Sequence, residues 1–274
     1  MTKKNLIYLL VFAFGFSFAS CDKDKESNSG VSVNTISAKW EISDSKSPYA
    51  SFEFNKDGNY IVVENVGMNS KSFNKSSTIS LFKNNNLKAA ITRSSESETN
   101  LSPIHFGTYK IEGNKIILSG FGLIEVISIT VEEFSFSFTL EATDEKNSFV
   151  AGKSGEPISS SSRTEMLCRT WIVEKVTLNG ETQSDSEEIG TVVLFSKAGT
   201  YLVLYPEEER EAGLAEWKWA NTEETKFYYS WKNWTDYWEE NNIATINQLN
   251  NNTLFFQENT PGGNEWVYHL SLKN

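Results

Sequence analysis

Seven aromatic residues fall within twelve positions at Phe227–Trp238, which reads F-Y-Y-S-W-K-N-W-T-D-Y-W. Trp231, Trp234 and Trp238 stand at i, i+3 and i+7, so a short helix there would carry all three rings on one face. Three roles fit such a cluster: a lid helix plugging the end of a fold, a platform that stacks on sugar rings or grips an apolar ligand, or a protein-binding patch. On the ligand reading, Trp231, Trp234, Tyr237 and Trp238 make the platform. Lys232, Asn233 and Asp236 supply polar contacts, and Trp217 and Trp219 add a second aromatic pair upstream. Catalytic groups are sparse by comparison. The two histidines, His105 and His269, lie far apart in strand-like runs, where hydrogen-bonded structural roles are expected. Metalloprotease, nucleophile-elbow, phosphate-loop and paired-cysteine motifs do not occur. Glu207, Glu208, Glu209 and Glu211 read as a solvated acidic loop. The expectation is a protein without a catalytic residue, metal site or cofactor.

The elements around these residues are short and alternate with period two. Phe134, Phe136, Phe138 and Leu140 interleave with Ser135, Ser137 and Thr139, as in a strand with one face in a core and one in water. Two hairpins repeat one another: F-N-K-D-G-N-Y at Phe54–Tyr60 and F-S-K-A-G-T-Y at Phe195–Tyr201. Gly58 and Gly199 occupy the slot where a hairpin built on a type I turn needs positive φ. A tryptophan precedes each copy, Trp40 by 14 residues and Trp171 by 24. Between them, the low-apolar stretch Ala151–Arg163, with Gly, Pro and a four-serine run, reads as a domain boundary. The chain thus divides into a module over 34–150, a linker over 151–163 and a module over 164–274. In the first module, 66–104 is rich in serine and asparagine and weakly specified.

Gly107–Ile116, G-T-Y-K-I-E-G-N-K-I, follows the first hairpin, and A-E-W-K-W-A-N-T-E-E-T-K-F, starting at Ala215, holds the matching place after the second. With Trp40 and the F-x-x-D-G-x-Y hairpin, this arrangement resembles the lipocalin-like domain of secreted bacterial lipoproteins. At the first strand Ala38-Lys39-Trp40 departs from that family's G-x-W. The resemblance implies an all-β fold of two tandem antiparallel up-and-down barrels, each a closed sheet around a central cavity.

The N-terminus points to an envelope location. Met1–Lys4 is basic, and Leu6–Phe18 is an apolar run too short to span a membrane, as in a signal peptide over 1–20. Phe18–Cys21, F-A-S-C, looks like a lipobox. Cys21 would then be acylated and become the mature N-terminus, and 21–33 would form a polar tether. The acidic, lysine-containing Asp22–Gly30 resembles the surface-export signal of Bacteroidetes outer-membrane lipoproteins. Its D-x-D-x-E spacing does not make a calcium loop, because Ser27 and Val33 fill positions that need Gly and a carboxylate. Acylation leaves Cys168 as the one free thiol, expected to be buried and structural. A net charge of −11, more acidic still once Lys3 and Lys4 are removed with the leader, disfavours nucleic acid. Two roles follow for a surface-exposed protein anchored to the outer membrane. One is binding a glycan or small apolar ligand through the second domain; the other is acting as an accessory subunit that contacts an outer-membrane protein.

Overall fold

The computed structural model describes residues 30–65, 104–155, 158–206, 212–231, 242–259 and 262–273. The lipidation position Cys21 and the aromatic positions Trp234, Tyr237 and Trp238 lie outside them. The chain is all-β, with two closed antiparallel barrels that each follow sequence order.

The first barrel runs β1 (Lys39–Glu41), β2 (Tyr49–Phe54), β3 (Asn59–Glu64), β4 (Ile104–Glu112), β5 (Lys115–Leu118), β6 (Gly122–Ile129), β7 (Glu133–Leu140) and β8 (Lys146–Lys153). It closes where Trp40 pairs with Lys153. Closure leaves no free sheet edge and hides the apolar face of every strand. The interior is filled with rings. Phe52 packs edge-on against Phe136 and Phe138, and Tyr49 against Phe121, Phe138 and Phe149. His105 stacks on Phe121 at 4.1 Å and shares a hydrogen bond of 2.7 Å with Glu64, so it is a bonded residue of the barrel interior.

The second barrel begins at β9 (Thr170–Leu178), to which the two-residue β10 (Glu181–Thr182) folds back. It continues through β11 (Val192–Phe195), β12 (Thr200–Leu204), β13 (Gly213–Trp219), β14 (Lys226–Trp231), β15 (Ile243–Leu249), β16 (Thr253–Asn259) and β17 (Glu265–Leu272). β17 returns to β9 along seven paired positions and closes the sheet.

The same local devices build both barrels. A short helix precedes each first strand, α1 (Val33–Ile36) capped by Ser32 and α2 (Ser162–Leu167) capped by Ser161. The Trp40 indole donates to the Ile36 carbonyl at 2.9 Å, and the Trp171 indole donates to the Leu167 carbonyl at 3.0 Å. Each tryptophan is thereby locked beneath its helix, in the core of its barrel. Both repeated hairpins turn through glycine at φ 85°. In each, the glycine N–H donates to the carbonyl three residues back, Asn55 or Ser196.

The serine-rich boundary is tied down. Ser159 and Ser161 donate to the Glu224 carboxylate, Arg163 donates to the Glu224 carbonyl, and Ile158 packs on the second core. Residues 31–274 form one compact unit, because the barrels share a third apolar cluster. Ile61, Val63 and Phe106 face out of the first barrel and meet Val192, Leu194, Leu202 and Leu204 of the second. β3, β11 and β12 are therefore buried on both faces, which accounts for their unbroken apolar runs.

Candidate functional site

Where the described residues of the first barrel pack ring against ring, the second encloses a cavity of about 120 Å³. Its aromatic walls come from alternate positions of four strands: Tyr201 on β12, Tyr229 on β14, Phe256 on β16 and Tyr268 on β17, with Tyr205 just beyond β12. Val173, Val193 and Val203 supply the aliphatic wall. Three polar side chains complete it, Glu258 on β16 and Glu188 and Thr191 before β11.

Glu188 and Thr191 sit on a segment that the first barrel lacks. The interval from the barrel tryptophan to the hairpin phenylalanine is ten residues longer in the second module, and the extra chain folds over the barrel between β10 and β11. Backbone bonds pin it to β9: Gln183 N–H to Val176, Gly190 N–H to Val173, and Val173 N–H to Thr191. Gly190 takes φ 88° to make the return, and Ile189 packs into the core. Thr191 is 1% exposed, and its hydroxyl has no hydrogen-bond partner among the described residues. A buried hydroxyl left in this state carries a desolvation cost of about 1–3 kcal/mol.

Glu258 gives the cavity its electrostatic character. Burial pushes its carboxyl up to about 7; the hydrogen bond from the Tyr229 hydroxyl opposes that rise, and the like charge of Glu188 adds to it. The tyrosines respond in the same sense. Burial raises the phenols of Tyr201 and Tyr229 far above the usual range, with the Glu258 charge reinforcing it, so both stay neutral donors. Among the described residues lining the space, two are acidic and none is basic. The arrangement can accept hydrogen bonds and positive charge from a ligand and offer π faces to it.

The aromatic residues singled out in the sequence divide differently from expectation. Trp217 is 1% exposed and does not line the cavity. Its backbone N–H donates to Gly199 and its indole to Ser196, both at 2.8 Å. Tyr109 makes the same two contacts in the first barrel, to Gly58 and Asn55. Trp217 thus braces the hairpin, with its ring outside the described lining of the cavity. Trp219 is half-buried and donates to Thr164 Oγ1 at 2.8 Å, fastening α2 to the barrel.

Trp231, the first of the three tryptophans at helical spacing, ends a strand. Phe227 to Trp231 lies in β14, where Ala215 pairs with Trp231 and Trp219 with Phe227. Ring-bearing residues suit a strand paired on both sides, and closure of the sheet requires one there. Among the described residues of the run, Tyr229 reaches the cavity.

Elsewhere the groups are structural. His269 packs at a tilt against Phe255, and its imidazole is held below its usual value by burial and by Lys175. Cys168 packs against the second core, where burial raises its thiol far above the reactive range. Among the described residues no cluster of three metal-ligating side chains occurs, and no helix is long and apolar enough to cross a membrane.

Sequence reasoning missed Glu188 and Thr191; the interval between Trp171 and Phe195, longer than that between Trp40 and Phe54, is the signal that could have found them. Tyr201, Glu258 and Tyr268 had none, because each sits in an ordinary strand pattern. No family model matches the chain, and no curated protein matches it.

Proposed function

We propose that this is a non-catalytic binding protein of the outer-membrane surface, anchored through lipid on Cys21, whose second barrel holds a small ligand. The observation that carries the binding role is the cavity enclosed by the strands of the second barrel. It combines aromatic walls with a polar residue, Thr191, that is buried without a bonding partner. Such a space, mostly apolar with a few convergent polar groups, is the usual form of a small-molecule site. The first barrel, packed with rings, serves as a rigid partner docked on the outer face of the second. The Cys21 anchor rests on the lipobox-like Phe18–Cys21 and the acidic tether behind it.

The test is NMR of the folded chain with labelled tyrosine rings, titrated with monosaccharides, short fatty acids and small amines. Saturable shifts at Tyr201, Tyr229 and Tyr268 are expected for one class. Unmoved resonances across all three classes would overturn the reading.

The accessory-subunit role has a narrower basis. Ile127, Val131 and Val150 are exposed at 65%, 77% and 59% on β6, the turn after it and β8. If this face contacts a membrane protein, that protein co-purifies with the wild-type chain and is lost with Val131→Asp and Val150→Asp.

A further inference from the structure

We infer that the ligand of the second barrel is a small organic cation, an alkylated ammonium caged by Tyr201, Tyr205, Tyr229 and Tyr268 and neutralised by Glu258 and Glu188. This rests on the ligand-binding role proposed above and names the chemical class that role serves.

Four observations converge on it. The described lining carries two carboxylates and no basic side chain, so the field inside favours positive charge. Tyrosine rings line the space from β12, β14 and β17, with Phe256 between them on β16, so a centrally placed ligand is surrounded by aromatic rings. Aromatic faces attract cations most strongly where water is excluded, and cages of this kind recognise methylated ammonium groups. The volume, about 120 Å³, equals roughly four water molecules, which suits a compact cation and is too small for a sugar chain or a long acyl tail. The buried Thr191 hydroxyl, lacking a partner among the described residues, gives a polar substituent on the cation something to bond.

Neutral ligands fit the arrangement less well. An acyl chain would leave Glu258 and Thr191 desolvated against hydrocarbon, and an anion would meet two carboxylates. Glu258 also supplies a pH signature. Among the described residues the groups facing it are Glu188 and the Tyr201, Tyr229 and Tyr268 hydroxyls, and burial keeps the Tyr201 and Tyr229 phenols protonated near neutrality. Between pH 6 and pH 8 the carboxyl loses its proton, so affinity for a cation of fixed charge should rise, by up to about tenfold for a site that needs the carboxylate.

The experiment is calorimetric titration of the full soluble chain with choline and with 3,3-dimethyl-1-butanol, its uncharged carbon isostere, at pH 6 and pH 8. Choline is expected to bind saturably and at least tenfold more tightly than the isostere at pH 8. Glu258→Gln should abolish both that preference and the pH dependence while retaining the wild-type near-ultraviolet circular dichroism. Equal binding of the two probes would overturn the cation assignment and leave the binding role standing. Binding of neither, with tyrosine resonances also silent to sugars and fatty acids, would overturn both. If Glu258→Gln fails to fold, Tyr229→Phe provides the second arm: it keeps the ring, removes the bond to Glu258, and should shift the midpoint of the choline pH profile upward. An unshifted midpoint would count against Glu258 as the counter-charge.

Discussion

Thr200 donates its hydroxyl to the Glu53 carboxylate at 2.6 Å, from the first residue after the second hairpin's glycine to a strand of the other barrel. Both residues are almost wholly buried, at 6% and 3% exposure. Asn59, the residue after the first hairpin's glycine, reaches the opposite way and donates to Thr170 at 2.9 Å. The repeated hairpins are thus the docking elements of the two barrels as well as their local frames. Thr200→Val removes the donor and leaves a buried carboxylate with one hydrogen bond fewer. A loss of about 1–3 kcal/mol is expected in urea unfolding at pH 7. Glu53→Gln, which keeps an acceptor without the charge, should be milder, and the reverse order would contradict the role given to the bond.

Leu202 is fully buried between the barrels among Ile61, Val63 and Phe106. Leu202→Asp places a charge in that seam without altering the inward-facing Tyr201 and Val203. The expected outcome is uncoupling, with calorimetry resolving two unfolding transitions where the wild type shows one. A single transition at lower temperature would mean that the seam does not set cooperativity.

Trp217 and Tyr109 each brace a hairpin through paired backbone and side-chain bonds. Trp217→Ala empties a buried indole site and should cost about 3–5 kcal/mol in chemical unfolding. Trp217→Phe should cost less while leaving ligand affinity within a factor of about two, because the ring lies off the cavity. A selective loss of affinity in a fully folded Trp217→Phe variant would return the residue to the binding site.

Gly122 begins β6 where a methyl group would lie 2.3 Å from the Thr139 carbonyl oxygen and 2.6 Å from the Phe138 ring. The carbonyl belongs to a paired strand and has little room to yield. Gly122→Ala should therefore destabilise by more than about 2 kcal/mol, through overpacking. Gly152→Ala, where nothing lies within 4 Å, is the control and should change stability little.

Glu258 links stability to pH. Its folded-state carboxyl, raised to about 7 from 4.5, holds a proton that the unfolded chain releases earlier. The folded state therefore binds more protons between these values, and stability falls as pH rises from about 4.5 through 7. Glu258→Gln should leave stability near pH 4.5 unchanged and raise it at pH 8 by up to about 3 kcal/mol. Thermal melts across pH 4.5–8 read this directly, and equal effects at both ends would refute the link. Stabilisation accompanied by lost cation binding would be the trade expected of a binding residue.

Cys21→Ala tests the anchor. The chain should move from the membrane fraction to the soluble fraction, and continued retention in the membrane would rule out Cys21 as the lipid attachment point.

The sequence by itself determined the strands, the turns and the tandem plan. Phe134–Leu140 alternates so strictly that one face must be buried, Gly58 and Gly199 stand where only positive φ completes the turn, and Trp40 and Trp171 mark equivalent first strands. These are local signals, written in period and backbone sterics. Tertiary structure decided what lies on each side of a strand and which residues converge. Tyr60–Val63 is apolar at every position, and periodicity cannot tell a seam between two barrels from any other strand buried on both faces. Glu188, Tyr229, Glu258 and Tyr268 meet because sheet closure brings distant strands to one interior, a relation of register that no local pattern records. The same closure took Phe227–Trp231 into β14, paired with β13, and gave Trp217 to the frame, relations that spacing along the chain does not record.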